Sequence, residues 1–69
     1  MNPIEKAVQL AGGQTSLAKA IGVSPSFVSQ WLSGARPVPA ARCRAIEAAT
    51  DGQVTSVDLR PDVFGEVAA

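Results

Sequence analysis

The sequence of 69 residues contains no histidine, a single cysteine and no long apolar run. Without histidine, the most common general base and the most common metal-binding side chain are missing. One thiol cannot close a disulfide or assemble a zinc cluster within one chain. No nucleophile–base pair or metal constellation is available, so the chain is not expected to be an enzyme, and no cofactor or metal is expected. Cys43 reads as a reduced, half-buried thiol of a cytosolic protein.

Bulky apolar residues are also scarce. Hydrophobic residues make up 46% of the chain, but alanine supplies much of that share. The core candidates are Ile4, Val8, Leu10, Leu17, Ile21, Val23, Val28, Trp31, Leu32, Ile46, Val54 and Leu59. They suffice to close one small helical domain and leave little from which to carve a substrate pocket. Nothing approaches the length of a bilayer span, and the opening MNPIEKAVQL, with Glu5 inside it, is unlike a secretion signal. A cytoplasmic location is expected, with no membrane association.

Net charge is absent as well, at +0, which argues at first against a polyanionic partner. The distribution reverses that reading. Residues 1–50 set Lys6, Lys19, Arg36, Arg42 and Arg44 against Glu5 and Glu47, whereas residues 51–69 set Arg60 against Asp51, Asp58, Asp62 and Glu66. A mildly basic body is followed by an acidic tail, a pattern that hints at electrostatic partnering.

What the chain does have is clear helix punctuation. Asn2, Pro3 and Glu5 form the signature of a capping box with proline at the first helical position. Ile4, Ala7, Val8 and Ala11 give that first helix its apolar stripe, and Gly12-Gly13 ends it. A second helix is predicted from about Thr15 to Ile21, with Leu17, Ala18 and Ile21 inward and Gly22 as its stop. Ser24 is expected to cap a third helix, Pro25 to Ser33, that ends at Gly34. The ARPVPA segment is a stiff connector. Pro39 to about Thr50 reads as a fourth helix with Cys43 and Ile46 inward, ending near Gly52. Thr55 and Asp58 have capping-box spacing, which predicts a short fifth helix before Pro61. The terminal DVFGEVAA has no strong period, and its Val63 and Phe64 either seal the core or form a dimer patch. The fold class is therefore an all-α bundle of four to five short helices. The domain is placed at residues 1–62, with 63–69 as a short tail.

The third helix is sharply two-faced. At about 100° per residue, Val28, Trp31 and Leu32 fall on one side, while Ser26, Ser29, Gln30 and Ser33 share an arc opposite them, with Phe27 on the flank. Solvent-facing helix positions are usually filled by Glu, Lys and Arg, so a short, neutral, hydrogen-bonding face calls for a reason. Trp31 shares the inward stripe and reads as a core anchor. Only Val23 separates Gly22 from Ser24, and Ala18 lies four residues before the glycine, where a small side chain lets two helices approach. A helix pair joined by so tight a turn is a helix-turn-helix.

The segment QTSLAKAIGVSPSFVSQWLS, residues 14–33, resembles the helix-turn-helix of the phage Cro and repressor proteins. The resemblance is carried by Gln14, Ala18, Gly22, Val23, Val28 and Trp31. With its GARPVPAARC connector and LRPD segment, the chain is similar to the Cro-like group that includes YdaS-type antitoxins. This resemblance implies a lambda-repressor-like DNA-binding fold and a transcriptional regulator, a Cro-like repressor, whose third helix enters the major groove of an operator. Candidate base-edge residues are then Ser24, Ser26, Phe27, Ser29, Gln30 and Ser33, with Gln30 suited to a two-bond contact with adenine and Phe27 to a thymine methyl. Candidate phosphate contacts are Gln14, Thr15, Lys19 and Arg36. Pro25 stands where several relatives carry a polar base-contacting side chain. Neither Arg nor Lys, the usual readers of guanine, occurs on the recognition face. Arg42 and Arg44 read either as a solvated helix face or as further DNA contacts. Partners implied are double-stranded operator DNA and a second copy of the chain, since relatives act as homodimers, with the protein at the nucleoid when bound. An alternative from the same resemblance is an antitoxin-like module whose acidic tail binds a partner protein and whose DNA binding is autoregulatory.

Overall fold

Glycine and proline punctuate the chain, and the helices fall between them. The computed structural model describes residues 2–65. It contains α1 (Pro3–Ala11), α2 (Gln14–Ile21), α3 (Pro25–Ser33), α4 (Ala40–Ala49), α5 (Ser56–Leu59) and α6 (Pro61–Phe64), with no strand among the described residues. None of these helices is long and apolar enough to cross a membrane. The Asn2 side chain accepts from the Glu5 N–H at 2.9 Å and the Glu5 carboxylate accepts from the Asn2 N–H at 3.1 Å, so the capping box of α1 is formed. Thr55 and Asp58 do the same for α5. Gly22 ends α2 in the left-handed region at φ 78°, its N–H and that of Val23 both returning to the Ala18 carbonyl. That conformation is open to glycine and costly for other residues.

Helix α2 lies at the centre and packs on α1, α3 and α4, while α5 joins α4 to α6. Leu17, Val28, Cys43, Ile46 and Val54 are fully buried, and Ile4, Ala7, Ala18, Ile21, Trp31 and Val38 complete the core. Three expectations are corrected here. Leu10 is 44% exposed; it sits about 110° round the helix from the centre of the Ile4–Ala11 stripe, too far to turn in. Cys43 is wholly rather than half buried, and burial pushes its thiol pKa up. Val38, absent from the expected core, is buried: Pro37 and Pro39 stiffen the connector so that little chain entropy is lost in pinning it.

The sixth helix is the other departure from the sequence reading. Arg60 organises it, donating to the Val38 carbonyl at 2.8 Å and, through Nε and Nη2, to the two Asp62 oxygens at 2.9 and 2.7 Å. One guanidinium thus ties the connector to the start of α6, and a four-residue helix can form without any amphipathic period. Phe64 packs against the core under the Arg44 guanidinium, 5.6 Å from its ring centroid, whereas Val63 remains 50% exposed. Upstream, Glu47 accepts from the Ser56 N–H and Oγ–H, both at 2.8 Å, and docks α5 onto α4. The expected tail is described as far as Gly65; Glu66 and the residues after it lie outside the described residues.

Two stability predictions arise from these contacts. A Cβ at Gly22 meets nothing within 4 Å, so Gly22→Ala tests the backbone angle alone. It should lower stability by about 1–2 kcal/mol, a fall in Tm of roughly 4–8 °C per kcal/mol for a domain of this size; an unchanged melt would show that the turn does not need its left-handed residue. Hydrogen bonds hold the carboxyls of Glu47 (from Ser56) and Asp62 (from Arg60) below the usual carboxylate range. Their stabilisation is therefore present above the unfolded carboxylate pKa of about 4 and lost as pH falls through the lower folded values. Circular-dichroism melts should show Tm falling below about pH 4, and less steeply in a Glu47→Gln, Asp62→Asn double variant. An identical acid drop in both proteins would assign it to other groups.

Candidate nucleic-acid interface

The inward sides of α2 and α3 are sealed by Leu17, Ala18, Ile21, Val28 and Trp31, all buried. Ala18 presents only a methyl group to its surroundings. With α3 fixed through Val28 and Trp31, its other side is left open: Ser24, Ser26, Phe27, Ser29 and Ser33 are exposed, and Gln30 is half-buried. No charge lies on that face. Phe27, at 46% exposure, is a large apolar side chain left in water on the flank of the polar arc.

The hydroxyls of this face are not all equally available. Ser24 stands at the N-cap of α3, as the sequence predicts, but its Oγ lies 2.9 Å from Ser26 Oγ and makes no cap bond. Pro25 has no N–H, so the first turn has one orphan donor fewer to satisfy. Ser33 Oγ donates to the Gln30 carbonyl at 3.1 Å and accepts from the Ala35 N–H at 3.3 Å, within the turn that ends α3 at Gly34. The Gln30 carbonyl also accepts from the Ala35 and Arg36 N–H groups at 3.0 and 3.4 Å. On its side chain, Oε1 is buried and has no hydrogen-bond partner.

Around α3 lie the expected phosphate-directed groups. Gln14 and Thr15 occupy the first turn of α2, Lys19 its last turn, and Arg36 the segment after α3; all four are exposed. The N-cap of α2 is Gly13, with no side-chain cap, so the first-turn amides and the positive end of the helix dipole are free to meet an anion. Thr15, Ala18, Lys19, Val23 and Pro25 line an open crevice of about 270 Å³ between the two helices. The basic body read from the sequence is sharper than its net charge suggests: between Glu5 and Glu47 the sequence contains no carboxylate, while Lys6, Lys19, Arg36, Arg42 and Arg44 all fall in that span. Arg42 is exposed on α4, and Arg44 is the residue stacked over Phe64.

Comparison with known proteins agrees with this arrangement. The sequence pattern of the family described as "Bacterial toxin YdaS" matches residues 4–68. YdaS of Escherichia coli (strain K12), named as a transcriptional regulator, is 49% identical over 59 residues, covering 86% of this chain. The chain spans 60% of that relative's length. Among solved structures, the Cro protein from the prophage element Xfaso 1 of Xylella fastidiosa strain Ann-1 superposes with a TM-score of 0.88 at 44% identity, covering 96% of this chain and 100% of that one. A solution structure of XPH1, a hybrid sequence of Xfaso 1 and Pfl 6, described as two Cro proteins with different folds, superposes with a TM-score of 0.65 at 48% identity and the same coverage.

The position of Ser33 separates it from its neighbours on the face. Because its hydroxyl is engaged in the helix stop, Ser33→Ala should lower stability by about 0.5–1.5 kcal/mol and leave base preference unaltered. Thermal melts and binding to a panel of duplexes check the two halves; a changed preference with an unchanged melt would return Ser33 to base contact.

Proposed function

The chain belongs to the YdaS family of Cro-like helix-turn-helix proteins, and on that premise we propose that it is a DNA-binding transcriptional regulator, a repressor that reads operator half-sites with α3. The observation that carries this reading is the uncharged, open face of α3 set on a sealed core. Around it, residues 6–46 supply five cations and no carboxylate. Phosphate contacts position a protein on the duplex and base edges specify the sequence, so the two jobs require different side chains. Ser24, Ser26, Phe27, Ser29 and Gln30 take the base edges in this reading, with Ser33 at the end of the arc. Gln14, Thr15, Lys19 and Arg36 take the phosphates. A short neutral face lets the helix axis come close to the groove floor, which long charged side chains would hold away.

A single nine-residue helix touches few bases, and specific sites generally bury more surface than one such module provides. We therefore place two copies on a two-fold operator with half-sites one helical turn, roughly 34 Å, apart. The DNA-binding unit comprises residues 1–62, with Phe64 of the following tail folded back on its core. It works in the cytoplasm, on the nucleoid when bound. A second reading, a protein-interaction module of a toxin–antitoxin pair, draws on the toxin name of the family and on Val57 and Val63, which are 49% and 50% exposed beside the acidic Asp58 and Asp62.

Fluorescence anisotropy with duplexes selected from a randomised pool tests the regulator. One sequence should be enriched, and Arg36→Ala should weaken binding to every duplex and reduce the slope of log K against log salt by about 1. Enrichment of no sequence, together with capture of a defined protein by the tail, would favour the second reading.

A further inference from the structure

We infer that Gln30 and Phe27 together read one thymine, Gln30 donating to O4 and Phe27 covering the C5 methyl, and that Gln30 does not hold an adenine through both ends of its amide. The inference rests on the role of α3 proposed above and narrows it to one base. A two-bond grip on adenine needs Oε1 to accept from the N6 amino group while Nε2 donates to N7, so both amide atoms must face the groove. Here Oε1 is buried without a partner, whereas Nε2 is not among the buried unpartnered atoms, so the NH2 end is the one available to a ligand. The reverse placement of the amide would bury two N–H donors in place of one carbonyl, the costlier choice where no partner exists. Gln30 therefore meets the groove as a donor.

Donors pair with acceptors, which in the major groove are O6 and N7 of guanine, N7 of adenine and O4 of thymine. Phe27 decides among them. It lies three residues before Gln30, on the same flank of the helix, and is 46% exposed. Thymine alone sets an acceptor beside a methyl group on one base edge. Against guanine, the phenyl ring would cover an acceptor and leave it unpaired. Ser26, four residues before Gln30, is also its neighbour on the helix, but its hydroxyl is engaged with Ser24 Oγ at 2.9 Å.

The test selects duplexes from a randomised pool with the full chain and with Gln30→Ala and Phe27→Ala, each first checked by thermal melt. Both variants should lose preference at the same T·A position. In the wild-type site, deoxyuridine in place of that thymine removes the methyl and should weaken binding several-fold, but should make no difference to Phe27→Ala. Replacing the opposite adenine by 7-deazaadenine should leave affinity unchanged. Gln30→Glu, which keeps the shape and offers only acceptors, should move the preference to cytosine, whose N4 donates. Sensitivity to 7-deazaadenine with indifference to deoxyuridine would overturn the inference in favour of the adenine grip. A G·C pair at the Gln30-dependent position would overturn it as well. A sharp consensus untouched by both alanine variants overturns this inference alone, whereas a wild-type chain that enriches no sequence removes the DNA-reading role beneath it.

Discussion

The packing of α2 on α3, with Ala18 buried and the chain turning at Gly22 between them, is the constraint on which the rest of the molecule depends. Helix α3 is nine residues long and contains proline, three serines, valine, phenylalanine and tryptophan. An isolated helix of that length and composition is not stable in water, because nucleation outweighs the few bonds it gains. It exists because Val28 and Trp31 are buried with Leu17 and Ile21 in one core. The rigidity of its outer face is thus borrowed from its inner one. A larger side chain at residue 18, or a turn without a left-handed residue at 22, would move α3 as a body and carry the whole face with it.

Electrostatics is arranged around the same pair of helices. Overall neutrality would weaken attraction to a polyanion if the charges were mixed, and they are not. Four carboxylates are tied into local structure: Glu5 and Asp58 in capping boxes, Glu47 on Ser56, and Asp62 on Arg60. Each is held by hydrogen bonds at a helix end. At physiological salt the Debye length is about 8 Å, so in a molecule 36 Å in its longest extent the distribution of charge, not its sum, governs what the α2–α3 face presents.

Local chemistry made much of this legible in the sequence. Helix ends marked by glycine, proline or a capping box were readable because a single residue's backbone determines them: α3 has the predicted bounds, and α1 and α5 carry the predicted caps. The inward residues of α2 and α3 were readable from the helical period. What escaped depended on distant partners. Leu10 is apolar yet outside, since the narrow α1 stripe has no room for it. Val38 is inside because two flanking prolines and the Arg60 guanidinium, far along the chain, hold the connector down. Helix α6 has no period of its own and takes its order from Arg60 and Asp62. On the candidate face, which residues point outward was legible; how their polar atoms are engaged was not, because the Ser24–Ser26 pair, the Ser33 helix stop and the buried Gln30 oxygen are decided by side-chain torsions.

Several departures from good local chemistry fall on α2 and α3. Helices α1 and α5 have complete capping boxes, whereas α2 and α3, like α4 and α6, have no side-chain cap. The half-exposed phenylalanine is on α3, and so is the buried amide oxygen without a partner. Each is unfavourable in the free protein: a free helix end, an aromatic ring in water, an unmet acceptor. Other polar groups are satisfied economically, one carboxylate docking α5 and one guanidinium tying the connector to α6. A sequence able to satisfy its polar groups there was not prevented by chemistry from doing so on α2 and α3. A free helix end and an exposed ring are groups that a ligand can still meet, since groups already paired within the protein would have nothing left to offer it.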